Sequence, residues 1–142
     1  ICTQSKLIMR QILFFLLILI ANNSHSQLYR NQNTPDSLDK NISVQKISED
    51  EFHSTYMIII KNKVPLHYHK DHSENLVILE GSAIMKIEND TLTITPKDQI
   101  TIPKGTIHEV IKVIGKTPLK VISVQSPKFD PKDRYFIKKE GQ

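Results

Sequence analysis

His67 and His69 stand two positions apart, Glu74 follows five later, and His108 closes a second run, Pro103-Lys104-Gly105-Thr106-Ile107-His108. Imidazoles and a carboxylate are the ligand types that suit Fe, Mn, Ni, Co or Zn as divalent ions. On a β-strand successive side chains alternate faces, so His67 and His69 project to one side, roughly 6–7 Å apart along the strand, and Tyr68 to the other. Both can then reach one ion at a metal–nitrogen distance of about 2.1 Å. The polar stretch Lys70-Asp71-His72-Ser73 reads as a turn. Glu74 opens the apolar run 76–79, so a hairpin return brings it beside the histidine pair. His108 opens another apolar run, 109–113, and reaches the same point from a separate strand. With 6 His and 15 acids in 142 residues, chance supplies a His-x-His-x4-acid match only about 0.03 times. A metal centre therefore outweighs histidines that merely sit in strands. A buried Glu74 without a partner is costly, and an ion compensates it.

These residues need strands to position them, and the chain is rich in short apolar runs. They fall at 42–47, 55–60, 66–69, 74–79, 83–87, 91–95, 99–102, 108–113 and 119–124, with turn residues between. β-Branched residues dominate them, and no segment keeps a helical period. The pattern predicts an all-β sandwich or barrel. Gly81 sits where a tight hairpin needs a positive φ. Pro103 and Gly105 suit positions i+1 and i+3 of a type I turn, and Asn89-Asp90 signals another hairpin.

The spacing His67-x-His69-x4-Glu74-x6-Gly81, followed by Pro103-x-Gly105-x2-His108, resembles the two motifs of the cupin superfamily in the right order. Residues 82–102 resemble the short intermotif stretch of small single-domain cupins of the type-2, conserved-barrel kind. The resemblance covers roughly residues 42–127. It implies a jelly-roll β-barrel, or double-stranded β-helix, of about six to eight strands. It also implies a metal inside, held by His67, His69, Glu74 and His108. The chemistry it implies is of dioxygenase, isomerase or lyase type on a small molecule, or non-catalytic holding of a small ligand or ion, and the fold alone does not choose. Small cupins are often dimers, which implies a homodimer here. Three lysines depart from the pattern: Lys61 and Lys97 stand where it often has Gly, and Lys112 where it often has Asn.

Other residues carry weaker expectations. His72 lies in the turn between ligands and is read as exposed, the alternative being an acid/base group at the pocket mouth. Lys112 shares strand parity with His108, which points it into the barrel toward an anionic substrate group or lets it snorkel to the rim. Met85, with Ile87, Leu76 and Ile78, is read as apolar lining. The tail 126–135 carries Pro127 and Pro131 and is expected to leave the barrel. It is read as packing outside the barrel or on a partner subunit.

The rest of the chain bounds the setting. Met9-Arg10-Gln11 and the apolar stretch 12–21 read as a secretory signal ending near Ser26, too short to span a bilayer, which takes about 20 residues. Residues 1–8 then stand upstream of the true start. The polar segment 27–41 reads as a flexible arm, 42–127 as the barrel and 128–142 as a tail. Export to the periplasm or medium of a bacterium follows as an expectation, with membrane contact only through the signal during export. Residues 1–26 carry Lys6 and Arg10 and no acid, so removing them lowers the net charge from +4 to +2. The remaining basic residues are scattered, which argues against a nucleic-acid partner. Cys2, the one cysteine, precedes Met9, so the mature chain uses neither disulfides nor thiol ligands. A closed, thiolate-rich structural zinc site is thereby disfavoured.

Overall fold

A computed structural model describes residue 28 and residues 40–138. The signal reading at 9–26 and nearly all of the arm at 27–41 lie outside the described residues. Within the compact unit 31–142, the described chain is all β. Ten strands run in order: β1 (Ile42–Glu49), β2 (Ser54–Ile60), β3 (Val64–Tyr68), β4 (Ser73–Glu80), β5 (Ser82–Ile87), β6 (Asp90–Ile94), β7 (Gln99–Ile102), β8 (His108–Ile114), β9 (Leu119–Ser126) and β10 (Tyr135–Phe136). They form two five-stranded antiparallel sheets, ordered β1-β2-β9-β4-β7 and β10-β3-β8-β5-β6. This is the all-β barrel that the apolar rhythm predicts and the jelly roll that the cupin resemblance implies. Among the described residues no helix is long and apolar enough to cross a membrane.

The period-two pattern explains which face of each strand is buried. Along β9, Leu119, Val121, Ser123 and Gln125 are buried and their neighbours less so. Along β4 the buried set is Glu74, Leu76 and Ile78. The apolar members join Ile60, Met85, Ile102 and Val110 in one core, closed from both sheets. At one end of the barrel the inward rows turn polar, and the site lies there.

Turn chemistry fixes the strand ends. Gly81 takes φ 73 between β4 and β5, and a Cβ there would fall inside contact distance of the Pro118 carbonyl. Both the conformation and the space therefore require glycine. Lys97, at one of the positions where a cupin often has Gly, adopts φ 82, and its N–H donates to the Ile78 carbonyl at 2.9 Å. The Pro103 turn differs from the type I expectation. Thr106 N–H donates to the Pro103 carbonyl at 3.2 Å, which puts Gly105, with φ 82, at i+2 of a type II turn. The β5–β6 hairpin turns one residue earlier than expected, because Ile87 already pairs with Asp90.

One irregularity reverses an expectation. Ile84 pairs with Lys112, but Met85 pairs with Val110. β8 thus carries an extra residue, and the bulge flips the parity of everything beyond it. Val113 packs against the core, while Lys112 is exposed and lies outside the pocket. Parity counted from His108 fails at this bulge.

Candidate metal centre

His67 is the penultimate residue of β3, and His69 follows the strand's end. β3 pairs with β8, with His67 directly opposite His108. The two histidine runs are therefore neighbours in one sheet. Glu74 is the residue that crosses the barrel. β4 belongs to the facing sheet and pairs with β7 and β9, so the expected hairpin between the histidine pair and Glu74 does not exist. A site reached from both sheets is the result.

His67, His69 and His108 are buried and can each offer one nitrogen, all within 4.8 Å of one another. The ring centroids of His67 and His108 are 4.2 Å apart, and those of His67 and His69 5.1 Å. In each ring Nδ1 faces a backbone carbonyl: Pro65 at 2.7 Å for His67, Asp133 at 2.7 Å for His69, and Thr106 at 2.9 Å for His108. A carbonyl only accepts, so Nδ1 carries the proton in all three. Every Nε2 then keeps its lone pair, the arrangement that a metal ligand needs. His108 Nε2 is buried without a hydrogen bond.

Glu74 touches this trio at His108, with Oε2 3.6 Å from Nε2. Its other oxygen, Oε1, accepts from Ser123 Oγ and from Gln125 Nε2 at 3.1 Å. Gln125 also donates to Ser123 Oγ at 3.2 Å. The register explains this, since Gln125 and Ser123 of β9 pair with Glu74 and Leu76 of β4. The two polar residues at inward parity in β9 were the available signal for this network.

Burial raises the Glu74 carboxyl, but the His108 ring beside it and the hydrogen bonds from Ser123 and Gln125 outweigh it and hold the group at about 2. Burial and then the proximity of His108 push His67 down to about 3, and burial lowers His69. His67 and His69 are thus held neutral and Glu74 ionised, the protonation states that bind a cation. The unfolded chain takes up protons on these groups that the fold refuses. Their contribution to stability is complete above the ordinary histidine value of 6.5 and is lost as pH falls toward about 3, with Glu74 adding to the loss below 4.5. The urea midpoint of metal-free protein should therefore fall steadily from pH 6.5 to 4. A flat profile over that range would contradict the assignment.

The tail does not leave the barrel, contrary to the sequence expectation. β10 pairs with β3, placing Tyr135 against Tyr68 and Phe136 against His67. Asp133, only 4% exposed, grips the turn after His69. Its carboxylate accepts from the N–H groups of Lys70, Asp71 and His72 at 2.7–3.2 Å and from His72 Nδ1 at 2.7 Å. Burial raises this carboxyl, and the bonds from Asp71, Lys70 and His72 bring it below its ordinary value. His72 is accordingly buried, 2% exposed, and is neither a surface residue nor part of the pocket lining. Phe129 packs edge-on to His69 and His72. His69, His72 and Asp133 also sit close enough to hold an ion, but Asp133 already bonds both rings.

The trio opens into a pocket of about 640 Å³, its open mouth included. Met85 lines it as expected, with aliphatic walls from Leu76, Val110, Leu119 and Val121. Arg134 is the exposed cation at its lining.

Two antiparallel sheets closing over a histidine trio and a glutamate define a cupin barrel. Residues 20–136 match the mannose-6-phosphate isomerase C-terminal family, and the chain belongs to it. A protein of Aquifex aeolicus is 28% identical over 92 residues, covering 65% of this chain and 74% of that relative. A putative mannose-1-phosphate guanylyltransferase of Vibrio cholerae is 31% identical over 104 residues, covering 72% of this chain but only 20% of the relative. Among solved structures, KdgF from Halomonas sp. superimposes with a TM-score of 0.65 at 16% identity, covering 75% of this chain and 97% of KdgF. A variant of Streptomyces Pac13 with uridine gives 0.60 at 12% identity, covering 69% and 79%. At such identities these likenesses show the fold.

Proposed function

We propose that the protein holds one divalent transition metal (Fe, Mn, Ni, Co or Zn) through His67, His69, His108 and Glu74, and that a small molecule meets it in the pocket. The observation that carries this reading is the common tautomer. Three imidazoles tie Nδ1 to backbone carbonyls and leave Nε2 free to point at one place. Four protein ligands leave open positions on an octahedral ion. Such an ion supplies polarisation of a ligand oxygen or, if redox-active, electron chemistry. The chain's own residues orient the rings, keep Glu74 ionised and exclude water along the aliphatic walls. Pac13, a nucleoside dehydratase seen with uridine, supports a small-molecule occupant and, among dioxygenase, isomerase and lyase chemistry, the lyase type.

A non-catalytic binding module is the second reading, and one observation favours it. His72, the alternative acid/base candidate, is bound to Asp133 and does not line the pocket. Proton relaxation of water in the Mn(II)-loaded protein tests the open position. Strong enhancement, quenched by a bound ligand, is expected, and none would sink the reading. Oxygen uptake and substrate panels then divide enzyme from module. Export remains a proposal resting on residues 9–26, and its test is an exported mature N-terminus at Gln27. Homodimerisation is likewise a proposal, which a monomeric mass in solution would overturn.

A further inference from the structure

We propose that the pocket selects a small molecule bearing a carboxylate or phosphate-ester group, and that Arg134 receives that anion. The inference rests on the metal reading for the ligand's other end but not for Arg134 itself.

Arg134 follows Asp133, whose carbonyl accepts from His69 Nδ1 at 2.7 Å. It is therefore delivered to the histidine end of the pocket, which it lines while exposed to solvent. Its guanidinium carbon lies 5.6 Å from the Phe129 ring centroid, and Phe129 in turn packs edge-on to His69 with centroids 6.3 Å apart. Phe129 thus gives the guanidinium a surface to rest on, a favourable cation–π placement. Among the described residues Arg134 has no carboxylate partner. Its planar fork of donors matches carboxylate and phosphate geometry.

Charge and shape agree. Glu74 is the carboxylate that lines the pocket, and its oxygens already face His108, Ser123 and Gln125. With a divalent ion and Arg134 in place, one negative charge stands against three positive, which favours an anionic occupant. The opposite walls, from Ile58, Leu76, Val110, Leu119 and Val121, offer no polar side chain. The occupant should then carry its anion at the histidine end and an apolar portion along the barrel. The Lys112 that the sequence offered for this role lies outside the pocket, and the cation comes from the tail instead.

The test is calorimetric titration of the full chain, metal-free and Mn(II)-loaded, with three probes of one shape: 4-methyl-2-oxopentanoate, its neutral amide, and 3-methylbutyl phosphate. At least one anion should bind about ten-fold more tightly than the amide. In the metal-free protein Arg134→Gln should erase that preference and Arg134→Lys should restore part of it, in the Mn(II)-loaded protein Arg134→Gln should reduce it, and metal content should not change. The better anion identifies carboxylate or phosphate as the source. An anion preference that survives Arg134→Gln undiminished in the metal-free protein, or no preference in either form, overturns the proposal. If metal fails to bind but the Arg134-dependent preference persists in metal-free protein, the metal reading falls and this one stands.

Discussion

Replacing Asp133 with alanine should cost the metal-free protein about 3 kcal/mol, and thus about 15 °C in melting temperature. One buried carboxylate satisfies three successive backbone N–H groups and a histidine ring. Removing it leaves those donors inside the protein without acceptors, which costs more than the bonds themselves are worth. The turn that follows His69 then loses its anchor to the tail. Metal affinity should also fall by about 10–100-fold, since groups that orient ligands matter nearly as much as ligands. Asp133→Asn keeps one acceptor oxygen and places an NH2 group against His72 donors, so an intermediate loss is expected. Thermal unfolding followed by circular dichroism reads the first effect and a competitive metal titration the second. A fall of less than about 5 °C for the alanine variant would mean that the tail is not the clamp described here.

His108→Ala should weaken metal binding by about 100-fold or more while leaving a folded barrel. His108 is the residue that joins the two halves of the site. It sits opposite His67 in one sheet and 3.6 Å from Glu74 of the other. Without it, the remaining pair of imidazoles and the carboxylate across the barrel no longer share a neighbour. Its Nε2 is buried and makes no hydrogen bond, so removing the ring costs the metal-free protein one hydrogen bond, that of Nδ1 to the Thr106 carbonyl. A stability loss without a change in metal affinity would make His108 a packing residue instead.

The clustering of His67, His69, His108 and Glu74 was legible because its information is local. Two histidines at strand spacing and a proline–glycine turn before His108 need only the period of a strand to be understood. The fold was legible for the same reason, from nine of its strands. β10 escaped because its two residues, Tyr135 and Phe136, make no pattern alone. Asp133 lies 61 to 64 positions from the groups that it holds, and no local spacing announces such a contact. His72 looked exposed because Lys70, Asp71 and Ser73 surround it in sequence. Its burial is created by the returning tail. Lys112 was misplaced by one inserted residue in β8, since period-two counting carries no warning of a bulge. Ser123 and Gln125 were visible in principle as polar residues at the inward positions of an apolar strand.

Elemental analysis of the purified protein, made without chelators or an affinity tag, tests whether the cluster of His67, His69, His108 and Glu74 holds a metal. After exposure in turn to Fe(II), Mn(II), Co(II), Ni(II) and Zn(II) and removal of excess ion, about one equivalent of at least one metal per chain should remain. That equivalent should vanish in His69→Ala. A wild-type chain that retains none of the five, or a His69→Ala chain that retains as much, would mean that the cluster is not a metal centre.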